Sequence, residues 1–166
     1  MQNDSLAVSM KLGMRRLASG VCVLSTSLGG DERFAMTVSS VTSVSDSPAS
    51  LLVCINQAVS QQAHLSSPDA GFAINVLAVE HQDVSNICAG RDPSRNRFEV
   101  GQWGRDESGL PILLDSPAVF ICKTDKVITY GTHKIIVAAI NHVIINGARV
   151  EPLLYANGGY GAFTPV

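Results

Sequence analysis

Residues 35–45 read Ala-Met-Thr-Val-Ser-Ser-Val-Thr-Ser-Val-Ser, a strand-like run in which small hydroxyl side chains stand where bulky apolar ones would ordinarily pack. Pro48 follows, and then a buried-looking strand at 51–56 that closes on Asn56. Hydroxyls and exposed amides gathered on sheet edges hold a phosphate or a polar ring system through many neutral hydrogen bonds, so the run is a candidate ligand cradle. Its residue types are equally those of an edge strand with solvated polar positions, and Asn56 is equally a turn residue.

Spacing argues against several other chemistries. No GxGxxG follows a strand and opens a helix, and no GxxxxGK[ST] occurs, so neither a Rossmann site nor a P-loop is expected. The cluster Gly158-Gly159-Tyr160-Gly161 lies too near the C-terminus to lead into a helix. His64, His81, His133 and His142 fall in four separate segments without HExxH or Cys/His spacing, so no metal site is expected. No GxSxG elbow presents a serine nucleophile, and Ser39 and Ser40 lie in a run too regular for a strained turn. Cys22, Cys54, Cys88 and Cys122 stand singly among apolar neighbours, which reads as buried free thiols rather than disulfides.

The elements that must position these residues are mostly short strands. Leu6, Met10, Met14 and Leu17 recur at helical spacing between a cap at Asp4 or Ser5 and a stop at Gly20, which predicts an amphipathic helix. Strands are predicted at 21–26, 34–44, 51–56, 72–77, 118–129, 134–145 and 153–155, with helical pieces at 61–65 and 80–88. Gly29-Gly30-Asp31 and Asn146-Gly147 read as tight turns of antiparallel hairpins. Several antiparallel strands with few helices suggest a closed barrel, because closure removes exposed edges. Residues 91–114, with Pro93, Gly101, Gly104, Gly109 and Pro111, read as one long loop of the kind that forms lids or binding loops.

The 166 residues, 46% of them apolar, fall within the size of one domain spanning 1–166. A net charge of -2, from 12 basic and 14 acidic residues spread along the chain, offers nucleic acid no polybasic surface. The start Met-Gln-Asn-Asp-Ser lacks a signal peptide's features, and no apolar run approaches the roughly 18 residues of a membrane span. A soluble cytoplasmic protein with no membrane partner is expected.

A set of ordered motifs carries a resemblance. After the helix come Ala18-Ser-Gly-Val-Cys-Val-Leu-Ser-Thr, Met36-Thr-Val-Ser-Ser-Val-Thr-Ser-Val-Ser, Leu51-Leu-Val-Cys-Ile-Asn and Phe72-Ala-Ile-Asn-Val-Leu. Arg97-Phe98, Trp103, Gly131-Thr-His133 and Pro152-Leu-Leu-Tyr155 then follow. In this order the chain, from about residue 12 to 163, resembles the short-chain flavin reductase family. Within it the chain looks like the reductase components of two-component aromatic monooxygenases, such as the partner of 4-hydroxyphenylacetate 3-monooxygenase.

The resemblance implies a mainly β fold, a split β-barrel of Greek-key-like antiparallel strands with a few peripheral helices, assembled as a homodimer. It implies hydride transfer from NADH or NADPH to FMN or FAD, with reduced flavin passing to a separate monooxygenase. It places flavin on Met36, Thr37, Val38, Ser39 and Ser40, with Cys54, Asn56 and Ser60 on the other side and Arg97, Phe98 and Tyr160 nearby. It sets His133 beside the nicotinamide, as a positioning group rather than a base, since direct hydride transfer needs alignment and no nucleophile.

Each of these residues has a plainer reading. His133 is equally a satisfied loop histidine, Arg97 and Phe98 loop anchors, Trp103 a core cap, and Tyr160 a side chain packed on the barrel. The same fold is also consistent with a non-enzymatic flavin-binding or storage protein. Relatives commonly carry arginine or lysine where this chain has Gln57, and a basic cluster where it has Asn157-Gly158-Gly159. Phosphate-directed charge would then shift to Arg15, Arg16, Arg91, Arg95, Arg97 or Lys134. No clustered arginines announce a 2′-phosphate pocket, which favours NADH.

Overall fold

A computed structural model describes residues 2–147 and 151–166. The chain opens with helix α1 (Gln2–Met14), then β1 (Ser19–Gly20), β2 (Cys22–Gly29), β3 (Glu32–Val38), β4 (Thr42–Asp46) and β5 (Ala49–Asn56). Helix α2 (Gln62–Leu65), β6 (Gly71–Val76), a single 3-10 turn (Val79–His81) and α3 (Gln82–Cys88) follow. The remaining strands are β7 (Trp103–Arg105), β8 (Pro111–Leu113), β9 (Ala118–Tyr130), β10 (His133–Ile145), β11 (Leu153–Ala156) and β12 (Gly159–Ala162).

Seven strands form the principal sheet, in the order β3-β2-β6-β9-β10-β5-β4, and every pair in it is antiparallel. The predicted closure does not occur by hydrogen bonding, because β3 and β4 are left as two free edges. Those edges are consecutive in the chain. The run predicted as one strand over 34–44 breaks at Ser39, Ser40 and Val41, so that its two halves end on opposite sides of a split. Ser40 Oγ stitches the break to the neighbouring strand, lying 3.1 Å from both the Cys54 nitrogen and the Cys54 carbonyl oxygen. Valines and small hydroxyl residues continue on both sides of the break, so it is marked only by the apolar spacing changing from two (Phe34, Met36, Val38) to three (Val38, Val41, Val44).

Alternation along β2 builds two cores. Cys22 and Leu24 join Val53, Ile55, Phe72, Ile74 and Ile136 inside the barrel. Val21 and Val23 face the other way, under α3, with Ala35, Leu77, Val84, Cys88 and Leu113. Helix α3 is thereby clamped on the outer face of β2 and β3, and the Thr37 hydroxyl donates to the Ser85 carbonyl at 2.6 Å.

Several expectations need correction. Residues 91–114 are not one irregular loop, since β7 and β8 pair within them from Trp103↔Leu113 to Arg105↔Pro111. Ser25 Oγ donates to the Pro111 carbonyl at 2.6 Å, and the Leu113 N–H donates to Asn75 Oδ1 at 2.8 Å, so this hairpin is fastened to the barrel. Gly101 is required at its entry: its φ is 91°, and a Cβ there would sit 2.7 Å from Leu113 Cδ1. Asn146-Gly147 does not turn a hairpin, because β10 pairs with β9 and β5 while β11 pairs with β1 and β12. The Asn-Gly turn that does make one is Asn157-Gly158, with φ of 51° and 83°, joining β11 to the unpredicted β12.

Helix α1 ends at Met14 rather than running on to Leu17. The Arg15 carbonyl accepts the Asn157 N–H at 2.7 Å instead of a helical donor. Among the described residues nothing covers the helix's stripe of Leu6, Met10 and Met14, which are 72%, 54% and 56% exposed, and the helix is less amphipathic than expected because Val8 and Leu12 are exposed on the opposite face. The four cysteines are free, but Cys54 is only half-buried while Cys22, Cys88 and Cys122 are buried. No helix among the described residues is long and apolar enough to cross a membrane.

Candidate functional site

A cavity of about 340 Å³ opens between β3, the link from β5 to α2, and the C-terminal end of α3. Phe34, Met36 and Thr37 line it from β3, and Ala58, Val59 and Ser60 from the link. Cys88 and Ala89 close the third side, with Arg97 reaching in from the following segment. Because both faces of β3 contribute, the cavity lies beside that strand's unpaired edge.

The link takes its shape from Asn56, whose Oδ1 accepts the Ala58 N–H at 2.9 Å while its carbonyl accepts the Val59 N–H at 3.0 Å. This Asx turn sends the chain back toward β3 and presents Ala58, Val59 and Ser60 to the cavity. Ser60 Oγ is itself bonded to Gln61 Oε1.

The opposite wall is set by Arg97, whose guanidinium donates to the carbonyls of Ala35 and Cys88 and lies 4.9 Å above the Phe34 ring centroid. No described carboxylate pairs with it, whereas Arg95 is tied to Glu99 and Arg105 faces Asp31. Burial pushes the Cys88 thiol up to about 12, with the Arg97 charge acting weakly in the other direction. The Cys88 thiol therefore stays neutral at physiological pH, and Arg97 gives that wall its charge. A flat ring would meet the apolar surfaces of Phe34, Met36 and Val59, and an anionic tail would meet a guanidinium with no acidic residue in the lining.

A larger cavity, about 730 Å³, lies elsewhere, bounded by the β7–β8 turn and the middle of β9 and β10. Its lining mixes Asp69, Asp106 and Glu107 with Arg105, Lys123, His64 and His142, and it holds none of the residues that the resemblance assigns to flavin or nicotinamide. Among the described residues no cluster of three or more His, Cys, Asp or Glu is placed to hold a metal ion.

Of the residues named from the sequence, the structure brings Met36, Thr37, Ser60 and Arg97 into one lining. Val38 is 5% exposed and belongs to the barrel interior. Ser39 and Ser40 are exposed at the split, and Cys54 lies beneath them on β5. Phe98 meets Trp103 edge-on at 4.8 Å between ring centroids and carries the Arg33 guanidinium on its face. Tyr160 Oη lies 2.8 Å from Ser85 Oγ and 3.2 Å from Asn86 Oδ1, which fastens β12 to α3. His133 is exposed at the start of β10 opposite Asn56, with Nδ1 2.9 Å from Thr132 Oγ1. Phe34, Val59, Cys88 and Ala89 carried no sequence signal, because three separate elements bring them together.

Arg15 and Arg91 flank the β11–β12 hairpin, where no basic residue occurs in the turn itself. A Cβ on Gly158 would be 4.0 Å from the Arg15 guanidinium, and Arg91 lies 5.9 Å from the Tyr160 ring centroid.

The family model for a flavin reductase like domain matches residues 14–164. The FMN reductase (NADH) RutF of Ancylobacter novellus is 36% identical over 149 residues, covering 90% of this chain and 81% of that protein. The reductase component of the FADH(2)-dependent resorcinol hydroxylase of Rhizobium sp. strain MTP-10005 is 32% identical over 164 residues, covering 98% and 90%. Among solved structures, the NADH:FAD oxidoreductase SgcE6 of Streptomyces globisporus C-1027, in complex with NAD and FAD fragments, superposes with a TM-score of 0.86. It is 26% identical and covers 96% of this chain and 93% of its own.

Proposed function

The chain belongs to the flavin reductase like domain family, and from that premise we propose that it is an NADH-dependent flavin reductase, with residues 1–166 as a single domain. It transfers a hydride from NADH to FMN or FAD and passes the reduced flavin to a separate monooxygenase. Relatives named for NADH-dependent FMN reduction and for the reductase half of a hydroxylase support this reading.

The observation that carries it in this chain is the acid-free cavity beside β3, apolar on its walls and served by the Arg97 guanidinium. That donor set suits a flat heteroaromatic ring bearing a phosphate. Phe34, Met36 and Val59 would bound the ring, Thr37 and Ser60, whose hydroxyl protons go to Ser85 and Gln61, would offer acceptor oxygens, and Arg97 would meet the anionic tail. Bound flavin supplies the hydride acceptor. The protein's own contribution is alignment and exclusion of water, for which no acid or base is needed. His133, at the head of β10 and two residues from the Ala58 rim across the Asn56 pairing, would orient the nicotinamide.

The uncovered apolar stripe of α1 supports a homodimer, since Leu6, Met10 and Met14 would otherwise stand in water. Free thiols on all four cysteines suit the reducing cytoplasm, where we place the protein. Sedimentation is expected to give a dimer at micromolar concentration, and a stable monomer would remove that part of the reading.

The reaction is tested by mixing purified protein with NADH and either FMN or FAD and following the loss of nicotinamide absorbance. Oxidation that depends on added flavin is the expected result. Flavin binding without NADH oxidation would instead indicate a storage protein.

A further inference from the structure

Two consecutive carbonyls of the β9–β10 turn are captured by one residue. The Gln57 N–H donates to the Thr132 carbonyl at 2.9 Å, and its side-chain Nε2 donates to the Gly131 carbonyl at 2.8 Å. Gly131 has φ of 55°, in a two-residue turn that closes Tyr130↔His133. The residue after these carbonyls is His133, whose Nδ1 lies 2.9 Å from Thr132 Oγ1 and whose strand partner is Asn56. Asn56 and Gln57 thus shape two structures at once: Asn56 turns the link that lines the cavity, and Gln57 holds the turn that carries His133.

We propose that Gln57 is a positioning residue that latches the β9–β10 turn and so fixes the His133 imidazole relative to the cavity rim. The inference rests on the reductase reading above. The ladders hold the base of the turn at Tyr130↔His133 and Asn56↔His133, and the Gln57 N–H adds one bond at its tip. A second donor, offset by one residue, ties that tip at two points and holds Thr132, and with it the hydroxyl that meets the imidazole. Gln57 itself is exposed and lies outside the cavity lining, so it acts through the turn and not by touching flavin.

Three variants test the latch. Gln57→Glu is nearly isosteric but presents an acceptor to the Gly131 carbonyl, whereas Gln57→Arg keeps a donor there. Gln57→Glu is expected to raise the KM for NADH roughly fivefold, the scale of one lost hydrogen bond, with kcat, flavin affinity and melting temperature unchanged. Gln57→Arg should retain the wild-type KM, and in a His133→Ala background Gln57→Glu should add nothing. NMR resonances of the His133 ring should shift in Gln57→Glu and not in Gln57→Arg, a readout that needs no turnover. An unshifted ring, an unchanged KM, or the same increment without His133 would each overturn the latch. Absence of flavin-dependent NADH oxidation in the wild type would instead overturn the reductase reading, leaving the ring resonances to decide the latch.

Discussion

Replacing Arg97 by alanine is expected to weaken FMN binding by between about tenfold and about a hundredfold, the range of a hydrogen bond to a charged group. Its guanidinium lies in the cavity lining, held on the carbonyls of Ala35 and Cys88 and against the Phe34 ring, and no described carboxylate neutralises it. Arg97→Lys keeps the charge but loses the planar guanidinium that lies on Phe34 and holds both carbonyls through Nη1 with its other nitrogens to spare, so an intermediate loss is expected. Riboflavin, which has the ring and no phosphate, separates charge from wall geometry. Titration of flavin fluorescence should show Arg97→Ala losing far more affinity for FMN than for riboflavin. Equal losses for the two ligands would mean that Arg97 only shapes the wall.

The second large effect concerns stability. Asn75 is fully buried and donates from Nδ2 to the Val23 carbonyl and to Ser25 Oγ, each at 2.9 Å, while its Oδ1 accepts the Leu113 N–H at 2.8 Å. One side chain therefore joins β2, β6 and β8, and Ser25 extends the network to Pro111. Asn75→Leu strips the Leu113 N–H of its acceptor, costing about 1–3 kcal/mol, and takes one donor each from the Val23 carbonyl and from Ser25 Oγ, which keeps its bond to Pro111, at about 1 kcal/mol apiece. A loss of about 3 kcal/mol in unfolding free energy is expected, which for a chain of this length lowers the melting temperature by about 6–12 °C. Asn75→Asp, with the same shape but no Nδ2 donors, should lose a comparable amount. A loss below about 1 kcal/mol in chemical denaturation would show that Asn75 does not hold the β7–β8 hairpin.

Asn75 also marks where the sequence stops being legible. The strands around it follow from alternating apolar residues, and their order along the chain points to the family. Trp103 to Arg105 and Pro111 to Leu113 are too short and too rich in neighbouring glycine and proline to read as strands. They become strands because Ser25 and Asn75 satisfy their backbone from across the barrel. The opposite lesson comes from Asn157-Gly158, whose turn signal was present while Gly159 and Gly161 disguised the strand beyond it.

In the candidate site, Ser60 and Arg97 follow only from motif order, while Met36 and Thr37 lie in the hydroxyl run, where nothing in the sequence tells which hydroxyls reach a cavity. Thr37 reaches it because α3 is clamped outside β3. Ser40 instead serves the backbone of Cys54. Phe34, Val59 and Cys88 acquire their place only from the packing of three elements, which a linear pattern does not encode.

The short link between β3 and β4 sets a geometric limit on the whole sheet. Seven strands spaced about 4.8 Å apart would span about 29 Å if laid flat. Four residue steps from Val38 to Thr42 reach at most about 14 Å. The sheet is thus a strip whose opposite margins are roped together at half its natural width, and it must remain curled whatever its ligands do. That rope also narrows the gap through which another chain's strand would have to enter, so two unpaired edges coexist with resistance to edge-to-edge aggregation. Inserting a flexible segment of about ten residues between Ser39 and Ser40 would slacken it.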